Sequence, residues 1–258
     1  MKKILFLGYN TKETKIIEAV KIFKSNKISQ TKTKVSLKYI QNFDLVISFG
    51  YKHLLNAEIT NNYKKIINLH IGYLPFNKGA HPNFWSFAEN TPSGVTIHKI
   101  DKGINTGKII YQKQLDFELL KNRKKLTFNA TNKRLVDEIE NLFIKNVKKL
   151  LQLDFDEFDQ VGKGSYHDGK NLPNILKSWN QNIFKTVLDY NKQTKKFIQD
   201  KLNLITEVEN TRKHNNVNWM NILRTSIKNS PSDTLKILDK INQDDDRISK
   251  VFKKLNEK

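Results

Sequence analysis

The 258-residue chain contains no cysteine. This absence excludes a disulfide framework, a thiolate metal site, a cysteine nucleophile and a CxxC redox pair. The fold must therefore rest on a hydrophobic core, and a chain of this length buries roughly 70–75% of its unfolded surface. The residue patterns predict no metal site.

Long hydrophobic runs are also missing. No stretch approaches the ~18 apolar residues of a membrane-spanning helix. The apolar run after the basic start covers only Ile4–Gly8, which is too short for the hydrophobic part of a signal peptide. We expect this run to be a buried first strand, and the protein to be cytoplasmic with no membrane partner.

Glycine is scarce where a dinucleotide site would need it. The turn after the first predicted strand reads Gly8-Tyr9-Asn10-Thr11 and holds one glycine. The dinucleotide-binding fingerprint and the P-loop are both absent from the sequence, so a standard NAD site is not expected.

Acidic residues are few compared with basic ones, and the formal net charge is +20. Most of the excess lies before residue 151, where 27 basic and 11 acidic side chains give +16. Such a region can meet nucleic acid, a diphosphate-bearing small molecule or an acidic cofactor tail. Abundant lysine and asparagine also fit a simple compositional bias, and we do not expect a nucleic-acid partner.

Short apolar runs alternate with helical patterns in the first 150 residues, which predicts an α/β fold with an open sheet. The predicted strands are Ile4–Gly8, Asp44–Gly50, Lys65–Leu69, Gly94–Ile100 and Lys108–Phe117, and the predicted helices are Lys12–Lys24 and Leu126–Gln152.

Composition predicts three parts of the chain. Residues 1–155 form the α/β domain, and residues 156–178 form a turn-rich connecting segment with a hairpin around residues 162–169. Residues 179–258 form a polar, helical C-terminal region, where we expect docking or homodimer contacts.

Residues that suit a ligand site are concentrated in one part of the sequence. Five of the ten glycines and three of the five prolines lie between residues 72 and 107. This stretch follows predicted strands, and open α/β sheets bind ligands at the carboxyl ends of their strands.

Asn68 and His70 lie two residues apart in a predicted strand and so share one side of it. An amide and an imidazole together can stabilise an oxyanion, and histidine can move a proton. The alternative is a hydrogen-bonded pair with a purely structural role. His98 lies on an apolar strand and is expected to be a satisfied core histidine.

Three ordered blocks in this region resemble the folate-dependent formyltransferases. They are Asn68-Leu69-His70, Leu74-Pro75-Phe76-Asn77-Lys78-Gly79-Ala80, and the stretch from Gly94-Val95-Thr96-Ile97-His98 through Asp101 to Asn105-Thr106-Gly107. The resemblance covers residues 66–112 well and residues 1–150 loosely. It implies a Rossmann-like domain and N10-formyltetrahydrofolate as the formyl donor.

The resemblance also implies a catalytic Asn-His-Asp set, of which Asn68 and His70 match two members. The aspartate position of the family's Asp-x-Gly turn is Asn105 in this chain. An amide cannot accept a proton at neutral pH, so the nearby Asp101 is a candidate substitute, although a solvated turn residue is equally consistent with its position. Water held by Asn105 is another candidate for handling the proton.

Folate is expected in a crevice bordered by residues 79–87 and 94–107. The predicted cofactor-binding residues are Gly79, Phe84, Trp85, Ile97 and Asp101. Phe84 and Phe87 also fit an amphipathic turn that faces the core, so Trp85 is the better candidate for direct contact.

Within the family, the aromatic stretch 80–87 and the stretch 162–167 look most like the enzymes that formylate nucleotide-linked amino sugars for surface glycans. Two alternatives stay open. One is formylation of methionyl-tRNA, which the helical C-terminal region disfavours. The other is a non-catalytic module that binds folate or nucleotide, which the change at Asn105 would permit.

Overall fold

The computed structural model describes residues 2–23, 26–117 and 125–256. A six-stranded mixed sheet organises the N-terminal part. Its strands are β1 (Lys2–Gly8), β2 (Asn26–Thr31), β3 (Leu45–Phe49), β4 (Ile66–His70), β6 (Ser93–Lys99) and β7 (Ile109–Leu115), and the short strands β5 (Lys78–Gly79) and β8 (Tyr166–His167) pair separately. The order in the sheet is β2-β1-β3-β4-β6-β7. The first four strands of that order are parallel, and β6 and β7 run antiparallel to their neighbours.

The predicted α/β class and all five predicted strands are confirmed. The sequence prediction missed β2, whose residues Asn-Lys-Ile-Ser-Gln-Thr alternate weakly and are mostly polar. An edge strand pairs on one side only, and this one buries too little apolar surface to leave a hydrophobic run in the sequence.

Helices cover both faces of the sheet. Helices α1 (Ile16–Lys21) and α5 (Phe128–Gln152) pack on one face, and α2 (Leu37–Ile40) and α3 (Ala57–Asn62) pack on the other. The remaining helices of the described residues are α4 (Pro82–Ala88), α6 (Ile183–Asn229) and α7 (Pro231–Asn256).

Successive residues of the central strands enter opposite layers of the core. In β1, Ile4 and Phe6 join the cluster that includes α1 and α5, whereas Leu5 and Leu7 join the cluster under α2 and α3. A strand buried on both faces needs apolar side chains at every position. This requirement explains the continuous apolar run that marked β1 in the sequence.

The long helix α5 begins and ends where its sequence dictates. The Thr127 hydroxyl accepts a hydrogen bond from the Ala130 amide, which caps the amino end, and Leu153 closes the carboxyl end in a left-handed conformation. Midway along the helix, the buried carboxylate of Glu140 accepts hydrogen bonds from the Thr14 hydroxyl (2.6 Å) and the Lys15 amide (3.0 Å). This contact fixes the chain just before α1.

The stretch expected to form a hairpin at residues 162–169 has a different structure. Strand β8 lies in this stretch and pairs in parallel with β5, which comes after β4 in the chain. Ahead of it, Phe158 exchanges two backbone hydrogen bonds with Ile109, each 2.8 Å long. The hairpin prediction was wrong because turn residues reveal where the chain reverses but not which distant strand it then joins.

The chain divides into two compact units, Met1–Lys192 and Gln193–Lys258. Residues 156–178 pack within the first unit, and the division falls inside α6. Helix α7 begins at Pro231, directly after Ser230. Among the described residues, no helix is both long and apolar enough to cross a membrane.

Candidate functional site

A cavity of about 650 Å³ opens beside the carboxyl end of β4. This volume lies within the ~300–1,000 Å³ range of small-molecule sites. Asn68, His70, His98, Asp101 and Asn105 line it, together with residues that follow β1 and β3. The structure thus brings together all four residues predicted to be catalytic.

The Asn68 amide is held in one orientation by His98. The His98 Nδ1–H donates to the Lys99 carbonyl oxygen at 2.7 Å, so its Nε2 must be the acceptor for the Asn68 Nδ2 at 3.1 Å. His98 is buried, as expected of a core histidine, but its partner makes it a positioning residue as well. One amide hydrogen of Asn68 is used by His98, and the other has no partner among the residues that the structure describes.

Asparagine residues flank both ring nitrogens of His70. The Asn105 Nδ2 lies 3.2 Å from Nδ1, and the Asn77 carbonyl oxygen lies 3.3 Å from Nε2. An amide N–H donates and a carbonyl accepts, so the network assigns the proton of the neutral ring to Nε2. Nε2–H is therefore the donor of His70, and the Asn77 carbonyl oxygen is its acceptor in this structure.

Both histidines are held in their neutral forms. Burial, reinforced by the neighbouring His98, lowers the pKa of His70 to about 3. Burial likewise lowers the pKa of His98 to about 4, opposed by its hydrogen bond to Lys99, the charge of Asp101 and the side chain of Asn105. At neutral pH, both rings thus act as neutral donors and acceptors.

Asp101 organises the loop that carries Asn105. Its carboxylate oxygen accepts hydrogen bonds from the Gly103 amide (3.0 Å) and the Thr106 hydroxyl (2.5 Å). The side chain is exposed, and its recorded partners lie within its own turn. Among the described residues, the His70 ring instead donates to the Asn77 carbonyl oxygen and accepts from the Asn105 amide. Asn105 adopts a left-handed conformation with φ of 56°.

Two glycines leave room for this arrangement. A Cβ on Gly72 would lie 2.5 Å from the His70 Nε2, so a larger residue would displace the imidazole. A Cβ on Gly79, where φ is 86°, would lie 2.3 Å from the His167 carbonyl oxygen of β8. At both positions, a neighbouring atom lies too close for any side chain larger than hydrogen.

The residues predicted to bind the cofactor fall into two groups. Gly79 and Asp101 line the cavity. Phe84, Trp85 and Ile97 are buried in the core, and Trp85 stacks on His167 with ring centroids 4.0 Å apart. Their burial favours support of the cavity wall over direct ligand contact. Among the described residues, no group of three or more histidine, aspartate or glutamate side chains could hold a metal ion.

Sequence reasoning did not single out Asn77, Gln160 or Ser165. Asn77 is buried with φ of 55° and presents its carbonyl to His70. Its place in an Asn-Lys-Gly turn was a weak signal for such a conformation. Gln160 and Ser165 come from a distant stretch of the chain, and nothing in their local sequence links them to His70.

Residues 8–145 match the family model described as formyl transferase. The chain is also similar to the formyltransferase PseJ from Anoxybacillus kamchatkensis, crystallised in complex with UDP-4,6-dideoxy-4-formamido-L-AltNAc and tetrahydrofolate. The identity is 35% and the TM-score 0.63, and the match covers 71% of this chain and 97% of that one.

Two curated relatives match shorter stretches. The dTDP-4-amino-4,6-dideoxyglucose formyltransferase of Mycobacterium bovis is 34% identical over 79 residues, which are 31% of this chain and 33% of the relative. A methionyl-tRNA formyltransferase of Prochlorococcus marinus is 30% identical over 143 residues, 55% of this chain and 42% of the relative. The chain therefore spans less than half the length of either relative.

Proposed function

Because the chain belongs to the formyl transferase family, we propose that it transfers a formyl group from N10-formyltetrahydrofolate to the amine of a nucleotide-linked amino sugar, as a step in surface glycan biosynthesis. The observation that carries this proposal is the similarity to the Anoxybacillus formyltransferase, which spans 97% of that chain. That protein was crystallised with a formamido nucleotide sugar and tetrahydrofolate.

The second candidate acceptor is initiator methionyl-tRNA. The Prochlorococcus relative favours it, because its match covers 55% of this chain, compared with 31% for the mycobacterial sugar enzyme. Against it, the match covers only 42% of that relative. The long helices α6 and α7 also differ from the β-barrel that the family resemblance implies for a tRNA enzyme.

In the proposed reaction, the sugar amine attacks the formyl carbon. A C–N bond forms to the amine, the bond from the formyl carbon to N10 breaks, one proton leaves the amine and one is gained at N10. The folate supplies the formyl carbon. Negative charge develops on the formyl oxygen during the attack, so donors aimed at that oxygen lower the barrier.

Asn68 and His70 are the donors that we propose for this oxygen. The second hydrogen of the Asn68 amide is oriented by His98, and the hydrogen bond from Asn105 to Nδ1 keeps the His70 proton on Nε2. In the proposed reaction, this Nε2–H exchanges the Asn77 carbonyl oxygen, its acceptor in this structure, for the formyl oxygen. Because the pKa of His70 is lowered to about 3, the ring is neutral at neutral pH and acts as a hydrogen-bond donor. Such donors each contribute about 10²–10³ in rate.

Proton removal from the amine needs a different group. Asn105 donates to His70 and has no basicity, and the Asp101 carboxylate is already an acceptor within its turn. Asp101 is exposed and lines the cavity, so water held near it or near Asn105 is the route that we propose. Removal of the amine proton is therefore the step of the proposed reaction that the side chains of the cavity assist least.

The charge of the cavity suits anionic ligands. Lys52 and Lys102 line it, and Tyr9, Tyr51 and Tyr166 provide aromatic surface. We propose that Gly79 and Asp101 contact the folate and that Phe84, Trp85 and Ile97 support the wall behind it. A cytoplasmic location belongs to the same proposal.

A homodimer through the C-terminal region also stays a proposal. Within the second unit, Trp219, Met220 and Ile222 of α6 and Leu235 and Ile237 of α7 are exposed. Exposed apolar side chains on adjacent helical turns are typical of contact surfaces.

One experiment separates the acceptors. The purified protein is incubated with N10-formyltetrahydrofolate and, in parallel, with UDP- and dTDP-linked amino sugars, their hydroxyl-bearing counterparts, and methionyl-tRNA. Mass spectrometry should detect added formyl only on the amino sugars. Product on methionyl-tRNA alone would support the second candidate. Folate binding without any formyl product would support a non-catalytic binding module.

A further inference from the structure

His70 is held by two residues in unfavourable backbone conformations. Asn77 and Asn105 have φ of 55° and 56°, and each contacts one nitrogen of the His70 ring. Left-handed conformations at residues other than glycine persist only where the surrounding structure holds them. The groups that hold Asn77 and Asn105 therefore determine where the imidazole lies.

Gln160 holds the Asn105 turn. Its Nε2 donates to the carbonyl oxygens of Asn105 and Gly107, both at 2.8 Å. These two bonds use both hydrogens of the side-chain amide and fix the turn on either side of Thr106. The Gln160 Oε1 is buried and has no partner among the described residues. Burying this oxygen without a partner costs free energy, which the two hydrogen bonds donated by Nε2 must offset.

Ser165 holds the Asn77 turn in a matching way. Its hydroxyl oxygen accepts from the Asn77 amide at 2.9 Å and lies 3.3 Å from the Asn77 Oδ1, to which it donates. The same chain segment is anchored at both ends, by Phe158 on β7 and by β8 on β5. Five residues apart, Gln160 and Ser165 thus control the partners of both His70 nitrogens.

We propose that Gln160 and Ser165 are positioning residues for His70. Gln160 acts through Asn105 on Nδ1, and Ser165 acts through Asn77 on Nε2. The inference rests on the proposed function for its catalytic consequence, but its structural content, the orientation and hydrogen bonding of the imidazole, does not depend on the substrate.

The test uses the full chain with Gln160→Met, which keeps the side-chain length and removes both donors, and Ser165→Ala, which removes one hydroxyl. Asp159→Asn is the control, since its side chain is 83% exposed and adjoins Gln160. A misplaced catalytic group costs on the order of 10²-fold in rate. We expect kcat to fall about 10- to 100-fold in Gln160→Met and about 10-fold in Ser165→Ala, with Asp159→Asn unchanged.

Two further readouts separate positioning from general stability. The effect of Gln160→Met should disappear in an Asn105→Ala background, because the residue through which it acts is then gone. The ¹⁵N resonance of the His70 Nδ1 should move in Gln160→Met to its position in Asn105→Ala. Additive rate losses, or an unmoved Nδ1 resonance in a folded Gln160→Met protein, would overturn the proposal.

The resonance measurement also separates this inference from the proposed function. A wild-type protein without formyl transfer would refute the function, while the His70 resonances would still decide the positioning role. Should Gln160→Met fail to fold, Ser165→Ala with the Nε2 resonance decides the matter. An unchanged resonance and rate in that variant would refute the inference.

Discussion

The most informative substitution is Asn105→Asp. In the wild type, the Asn105 Nδ2 donates to the His70 Nδ1 at 3.2 Å, which leaves the ring neutral with its proton on Nε2. A carboxylate at this position can only accept, so Nδ1 must become protonated. Nε2 faces the Asn77 carbonyl oxygen, which also favours a proton there, so the doubly protonated imidazolium is more stable than in the wild type.

The magnitude follows from the distance. An opposite charge within about 4–6 Å stabilises the charged form of a group by roughly 1.4–4 kcal/mol. The pKa of His70, about 3 in the wild type, should therefore rise toward its ordinary value of 6.5. A carboxylate beside the imidazole also adds a proton acceptor, and general-base contributions are about 10²–10⁴-fold at most. We expect kcat to rise at least about tenfold.

The assay is the pH dependence of kcat together with an NMR titration of the His70 ring. The control is Asn90→Asp, because Asn90 has φ of 53° and is exposed, so it repeats the substitution in the same backbone conformation outside the cavity lining. A raised His70 pKa with kcat at the wild-type value would refute the role of the new carboxylate as a proton acceptor. Loss of activity in Asp101→Asn would then show that Asp101 already handles the proton.

Three further predictions concern the same site. His70→Ala and Asn68→Ala should each lower kcat about 10²-fold or more while the fold stays intact, and near-full turnover in either would exclude this strand end as the catalytic site. Gly72→Ala should lower kcat about 10²-fold, since the new Cβ would lie 2.5 Å from the His70 Nε2; a wild-type rate in steady-state assays would show that the imidazole has room to move. Stability should fall as the pH falls from 6.5 to about 4, because the folded pKa values of about 3 and about 4 lie below the unfolded value of 6.5 and the unfolded chain takes up more protons. In urea titrations across this range, His98→Gln should reduce the slope of unfolding free energy against pH by about 1.4 kcal/mol per pH unit, and an unchanged slope would mean that His98 titrates normally.

Much of the fold could be predicted because buried elements leave periodic apolar patterns. The strand β1 is apolar at successive positions from Ile4 to Leu7 because both faces are covered. The polar edge strand β2 left no such pattern. The parallel pairing of β8 with β5 joins residues nearly 90 positions apart, and local turn residues carry no information about a partner at that distance.

The candidate site could also be predicted only in part. Asn68 and His70 could be paired from strand periodicity alone, and the resemblance to a family supplied Asn105. The roles of Gln160 and Ser165 could not be predicted, because each depends on backbone carbonyls and amides of turns that the chain brings close only after folding. Trp85 is buried and stacked on His167, and its local sequence gave no sign of that distant partner.

The measurement that tests the central claim most directly follows a ¹³C-labelled formyl group. Labelled N10-formyltetrahydrofolate and a nucleotide-linked amino sugar are mixed with the wild-type protein and with His70→Ala, and the label is followed by ¹³C NMR. We predict that the label moves to a formamide of the sugar in the wild type and about 10²-fold more slowly in His70→Ala. Label that stays on the folate, or that moves equally fast in both proteins, would contradict formyl transfer at this site.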